Sequence, residues 1–428
     1  MSAPATLAQK LVARAARKAS VRQGEIVTVN VDLAMIHDSG GPRRVAPMLK
    51  EIGREIWDPA RVALVLDHFI PADTDATRAI VETARKFAVE RRIGQVFDSV
   101  GICHAVLPER GLLKPGMFVV GGDSHSPTGG AFGAYMFGVG ATDMAGVLAS
   151  GQTWLTVPET ILMQFDGTLA PGVSAKDIML FLCGRFGMGG GRSQAVEYTG
   201  SAIAALPMQE RMTLANMTAE LGGQAGLIAA DHTTIAHIRA HGGEVPDDWA
   251  DWRTDPGAEV SEHHVFDASA LPPQVAAPHS PANSAPIDTH AGTPLDLAYI
   301  GACTGAKLAD MRMAASVMRG HRIADGLRLL LAPATLRDQQ EAAADGTLDT
   351  LIAAGAELLP NACGICAGYG SARLGENVRA ISTTARNFRG RMGADSAQVW
   401  LASPYTVAAS AIAGRITDPR PMLKGGAA

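Results

Sequence analysis

Short apolar runs that end abruptly in polar or thiol residues recur along the chain: VALVLDHF at 62–69, MFVVGGDSH at 117–125 and LDLAYIGAC at 295–303, with LRLLLAP at 327–333 in the same style. Unbroken apolar runs of this length read as strands covered on both faces, as in a parallel sheet. Between the first two lies TRAIVETARKFAVERR (77–92), which has helical period. EIVTVNVDL adds a buried strand around Ile26–Val31. Before it, residues 5–19 place Leu7, Leu11, Val12 and Ala15 on one helical face, and Gly24 closes the following turn. Strands alternating with helices over the first 160 residues predict an α/β fold, in which ligands bind at the carboxyl ends of strands. Asp67-His68 and Asp123-Ser124-His125 fall at those ends.

The 428 residues suffice for two to four domains at roughly 100–200 residues each. Residues 174–243 are mostly helical in pattern, broken by GMGGGRSQ at 187–194, and residues 244–294 read as a long irregular crossing rich in Pro, Ala, Ser and His. The expected units are 1–160, 161–285 and 286–428. With 37 basic against 42 acidic residues, the net charge of −5 offers no electrostatic footprint for nucleic acid. No apolar run of about 18 residues predicts a membrane-spanning helix. The basic N-terminus lacks the apolar block of a signal peptide, so a cytoplasmic protein is expected.

The 5 cysteines are too few for a disulfide framework, which favours a reducing compartment. Cys303 ends a strand, and Cys363 and Cys366 form C-x2-C within NACGICAGYG. Such a pair by itself suits a structural metal or a redox dithiol, but structural zinc wants four protein ligands. Three thiolates suit a 4Fe-4S cluster with one iron not ligated by protein, free to act on substrate as a Lewis acid. Cys103 and Cys183 read as ordinary buried residues. His232, His237 and His241 have no carboxylate cluster beside them and read as part of a surface helix; the Gly-rich run 120–140 lacks the Lys-Ser/Thr of a phosphate-binding loop.

IGACTGAKLADMR (300–312), LPNACGICAGYG (359–370) and ISTTARNFRGRMG (381–393) resemble, in order and spacing, the cluster and arginine motifs of the aconitase superfamily. The long segment 119–160, opening on Asp123-Ser124-His125, and VLDHFIPADT, HDSGGP and AVEYTGSAI fit as well. Within the superfamily the pattern is most similar to the short large subunits of isopropylmalate-type dehydratases, enzymes of leucine biosynthesis. The resemblance implies three α/β/α domains around an iron–sulfur cluster, without the swivel domain. It implies elimination and readdition of water in a hydroxy di- or tricarboxylic acid. Homoaconitase or methyl-substituted malate dehydratase activity are the alternatives inside the class; a non-catalytic iron–sulfur protein and an RNA-binding relative lie outside it.

By the same resemblance, Cys303, Cys363 and Cys366 bind the cluster, and Asp67-His68 helps protonate the leaving hydroxyl. His104 with Asp123 forms a second carboxylate–imidazole pair, with Ser124 and His125 beside the substrate. Glu197 is expected to contact iron-bound water, and Arg386 and Arg391 to grip substrate carboxylates through their planar forks. Arg389 is a solvated neighbour. No Gly-Ser-Ser-Arg type loop occurs, so a separate small subunit carrying the swivel domain is expected to supply the base serine. Gly305 and Ala385 stand where the family usually has asparagine.

Overall fold

The computed structural model describes residues 3–370 and 372–424. β1 (Ile26–Asn30) is followed, after only Val31-Asp32, by the wholly buried β2 (Leu33–His37). β3 (Val62–Leu66), β4 (Gln95–Asp98), β5 (Phe118–Gly121) and β6 (Tyr135–Gly138) join β2 in a parallel sheet of order β4-β3-β2-β5-β6. The chain thus forms two strands where the sequence pattern predicts one. β1 is not a buried strand: it pairs antiparallel with β7 (Gln152–Thr156), alternates in burial, and leaves Ile26 69% exposed. After β4 the chain crosses β3 and β2 to add β5 on the far side, so the crevice between the carboxyl ends of β2 and β5 is a switch point.

β8 (Thr160–Asp166), β9 (Ala195–Thr199), β10 (Ala225–Leu227) and β11 (Glu262–Asp267) form a second parallel sheet of order β10-β9-β8-β11. Residues 174–243 are therefore less helical than their pattern predicts. β9 contains the polar Glu197, and β10 has 3 residues, too few to register a period of two. The helix Ala175–Phe186 begins at Ser174, whose side chain closes a capping box with Asp177.

The third sheet contains β12 (Gln274–Ala276), β13 (Ser284–Pro286), β14 (Leu297–Ile300), β15 (Arg328–Leu331), β16 (Ala356–Leu358), β17 (Arg379–Ser382) and β18 (Gln398–Ala402), in the order β13-β12-β18-β17-β14-β15-β16. The strands from β18 to β16 run parallel, while β12 and β13 are antiparallel additions. The expected irregular crossing thus carries β11, β12 and β13, which give its backbone groups ladder partners that composition does not reveal. Ile102 N–H donates to Ala334 O at 2.9 Å, Leu336 N–H to Val100 O at 2.9 Å, and Cys363 N–H to Asp67 O at 2.9 Å. These bonds set the strand ends of the first sheet against those of the third.

Candidate active site

The expected motifs leave the carboxyl ends of parallel strands, except that Glu197 lies within β9. Asp67-His68 follows β3, Asp123-Ser124-His125 follows β5, Cys303 follows β14, Cys363 and Cys366 follow β16, and Arg386 follows β17. His104 lies on the short helix Cys103–Glu109 after β4. The helix Met208–Leu221 enters from the middle of the chain and is buried on nearly every face.

The Asp67 carboxylate is fully buried and bonds His68 Nδ1 at 2.6 Å through Oδ1, while Oδ2 accepts Cys103 N–H at 2.7 Å. Asp38 accepts the backbone N–H groups of His68 and Phe69, fixing the turn after β3. Burial alone would hold His68 neutral, but the charge and hydrogen bond of Asp67, helped by Asp123 and Asp38, raise its pKa to about 9. His37 stacks on His68 with ring centroids 4.2 Å apart. Burial and the neighbouring His68 charge lower its pKa to about 4, and its Nε2–H is placed to donate to Gly122 O at 3.0 Å. One ring of the stack carries the proton while the other is a neutral support.

Asp123 joins the second group. Its Oδ1 bonds His104 Nε2 at 2.7 Å and accepts His125 N–H at 2.8 Å, and its Oδ2 lies 4.0 Å from His68 Nε2. Burial would raise the Asp123 carboxyl, but the His104 bond and the surrounding histidines hold it well below the usual carboxylate range. His125 Nε2 is 2.9 Å from Glu220 Oε1, the same oxygen that accepts from Arg386 Nε. Arg386 Nη1 donates to the exposed Ser124 at 2.9 Å. Arg391 donates from Nε to Cys366 O at 2.8 Å and so braces the cysteine loop, whereas Arg389 is exposed.

Glu197 is not brought to this group. Its carboxylate accepts from Thr254 Oγ1 at 2.5 Å, and Thr254 in turn accepts Leu7 N–H at 2.8 Å, so Glu197 ties the N-terminal helix to the second sheet. Burial pushes its carboxyl up to about 7. The carboxylate that stands at the site is Glu220, which sequence reading missed. Its side chain is fully buried; burial would raise its pKa, but the His125 and Arg386 charges hold it below the usual range. The available signal was the helix MQERMTLANMTAEL: with apolar residues all round and no single stripe, a carboxylate inside it must have a partner.

The same helix supplies Asn216, whose Nδ2 donates to Cys303 Sγ at 3.2 Å and Thr128 Oγ1 at 2.8 Å. Cys303 and Cys366 are buried and Cys363 is half-buried. A hydrogen bond from Cys363, favoured further by the Arg391, His125 and Arg386 charges, lets Cys366 ionise more readily than an ordinary thiol. Beneath the loops, Lys176 Nζ donates to Thr383 O at 2.8 Å and Thr384 O at 2.6 Å, with Thr304 Oγ1 at 3.4 Å. It joins the Cys303 turn to the Arg386 turn. Gly305 packs so tightly that a Cβ would meet Thr383 Cβ at 2.1 Å, and Ala385 is buried among apolar side chains. The backbone at Gly305 therefore has no room for an asparagine.

The residues around the cysteines fit a polar inorganic group. His104 Nδ1, Asn216 Oδ1, Glu220 Oε2 and the Tyr299 hydroxyl are all buried without a hydrogen-bond partner among the described residues. Such groups cost roughly 1–3 kcal/mol each unless something meets them. A cavity of about 220 Å³ lined by His68, Phe69, Ile70, Tyr369 and Arg373 adjoins the site.

Comparison with known proteins follows the same lines. Residues 9–414 match the Aconitase family (aconitate hydratase). The 3-isopropylmalate dehydratase large subunit 1 of Methanopyrus kandleri is 40% identical, over 98% of this chain and 99% of its own length. The 3-isopropylmalate dehydratase large subunit of Nitratidesulfovibrio vulgaris is 42% identical over 97% and 99%. A probable methanogen homoaconitase large subunit from Methanothermobacter thermautotrophicus is 39% identical over 97% of both chains. In fold, Thermococcus kodakaraensis aconitase X superposes with a TM-score of 0.50 at 12% identity, covering 86% of this chain and 88% of that one. By motif, fold and near-full-length similarity, the chain belongs to the aconitase family.

Proposed function

We propose that this chain is the cluster-bearing large subunit of a 4Fe-4S hydro-lyase that interconverts 2- and 3-isopropylmalate by removing and readding water. Family membership implies an iron–sulfur cluster, and Cys303, Cys363 and Cys366 are the residues that would hold it through three of its irons. Bound there, the cluster supplies a Lewis-acidic iron that polarises the hydroxyl to be lost.

The observation that carries the reading is the pair of carboxylate–imidazole units, Asp67–His68 and Asp123–His104, whose carboxylates lie by Cys363 while Arg386 lies by Cys366. His68 is the acid for the departing hydroxyl. Its Nδ1 is committed to Asp67, so Nε2, on the Asp123 side, carries the transferable proton. Arg386 binds a substrate carboxylate: Glu220 orients the guanidinium through Nε, and Ser124 stands beside Nη1. Arg391, braced on the cysteine loop, takes a second carboxylate. Glu220 takes the role expected of Glu197: with Oε1 held by His125 and Arg386, its unpartnered Oε2 would be the acceptor for a group bound at the cluster. The proton-abstracting serine comes from a small subunit, consistent with relatives named large subunits. No helix among the described residues is long and apolar enough to cross a membrane, and we place the enzyme in the cytoplasm.

Homoaconitate chemistry is the second reading, favoured by the 39% identical relative named a homoaconitase large subunit. The test is the chain co-purified anaerobically with its small subunit and assayed on 2-isopropylmalate, homocitrate, citrate and dimethylmalate. Dehydration of 2-isopropylmalate with the highest kcat/KM is expected. Preference for homocitrate would select the second reading, and no turnover by protein with full iron content would reject both.

A further inference from the structure

Tyr299 lies in β14, four residues before Cys303, and its side chain is fully buried. Its hydroxyl has no hydrogen-bond partner among the described residues. The ring lies along the turn that delivers Cys303. A Cβ on Gly301 would stand 2.2 Å from the hydroxyl, so that position needs glycine, and Ala302 takes a left-handed φ of 69° immediately before the cysteine. The hydroxyl thus stands between the Cys303 turn and the Cys363–Cys366 loop, whose Ala362, Gly364 and Ile365 line the same cavity as Tyr299. The adjoining cavity of about 70 Å³ is lined largely by apolar groups such as Ala332, Leu359, Ala362 and Ile365.

Among the orphaned atoms around the cysteines, Asn216 Oδ1 and the ionised Glu220 Oε2 are acceptors, His104 Nδ1 donates or accepts with the tautomer, and the Tyr299 hydroxyl is a donor. Sulfur is an acceptor, and Asn216 Nδ2 already serves Cys303 Sγ from within the protein. Tyr299 is a donor without a recipient among the described residues. We propose that the Tyr299 hydroxyl donates a hydrogen bond to a sulfur of the iron–sulfur cluster held by Cys303, Cys363 and Cys366, and so raises the cluster's reduction potential. The bond withdraws electron density from sulfur and stabilises the reduced cluster more than the oxidised one. This inference rests on the cluster reading above.

The test compares wild-type protein with Tyr299→Phe, a change that deletes one oxygen and preserves the packing of the ring. Both are reconstituted anaerobically, analysed for iron and sulfide, and titrated with dithionite while absorption and EPR are followed. Equal cluster content, a more negative midpoint potential in Y299F, and loss of one exchangeable-proton coupling in pulsed EPR are expected. Failure of Y299F alone to retain iron, with unchanged thermal unfolding of the apoprotein, would support the same bond. Identical potentials and couplings would overturn the proposal and leave the hydroxyl to a water in the adjoining cavity. Wild-type protein without iron would instead reject the cluster reading, and the proposal with it.

Discussion

Asp67→Asn lowers kcat by about 100- to 10,000-fold, the usual span for losing a positioned general acid, while iron content stays at the wild-type level. The expectation follows from the balance at His68. Burial disfavours the imidazolium, and the Asp67 carboxylate at 2.6 Å overturns that preference and sets the pKa near 9. Asparagine still offers an oxygen to Cys103 N–H but brings no charge. Asp38 at 3.7 Å and Asp123 at 4.0 Å then oppose burial alone, and the His68 pKa falls toward or below its ordinary value. The alkaline limb of the kcat–pH profile of the assembled enzyme moves from near 9 to lower pH. The sign for stability follows the same group. A raised His68 pKa contributes stability that is fully present below the unfolded value of 6.5 and is lost as pH rises through about 9. The gap in Tm between wild type and D67N therefore closes across that window. An alkaline limb that stays in place in D67N would remove His68 from the role of acid.

The largest expected loss of stability is at Lys176. Its ammonium is fully buried and meets Thr383 O, Thr384 O and Thr304 Oγ1. In Lys176→Met the apolar stem is kept, but Thr384 O loses its donor in a place water does not reach, and Thr383 O keeps only the Thr304 hydroxyl at 2.8 Å. Breaking a buried polar network of this kind costs about 3–5 kcal/mol, less whatever is recovered by no longer burying the ammonium. The Thr383–Arg386 turn then keeps its bonds to Gly301 and Thr304 but loses the ammonium that clamps Thr384 beside the Cys303 turn, so K176M also holds less iron after reconstitution. Chemical denaturation of the apoprotein measures the first effect and iron analysis the second. Unchanged stability with normal iron would show that the two turns are positioned without Lys176.

How much of this was legible depended on whether a residue's partners were local. Cys303, Cys363, Cys366, Asp67-His68 and Asp123-Ser124-His125 each follow a strand in sequence, so the chain itself displays them at carboxyl ends. Glu220 does not: it sits at the end of a mid-chain helix, and its partners His125 and Arg386 are 95 and 166 residues away. Lys176 is hidden for the same reason, since its acceptors at Thr383 and Thr384 lie 207 and 208 residues off. Glu197 was expected from the resemblance of AVEYTGSAI alone; its carboxylate bonds Thr254, which holds the N-terminal helix, a contact no local pattern encodes. Gly305 looked like a departure from a motif and is explained by the Thr383 side chain that fills the space.

The proposed function stands or falls with a 4Fe-4S cluster held by Cys303, Cys363 and Cys366 together. Iron and acid-labile sulfide, measured with the visible spectrum on anaerobically reconstituted wild type and Cys366→Ser, test it most directly. Brown wild-type protein approaching four irons and four sulfides per chain, the content of such a cluster, is expected, with a C366S variant that loses most of both. Colourless, iron-free wild-type protein, or a C366S variant with undiminished iron, would contradict it.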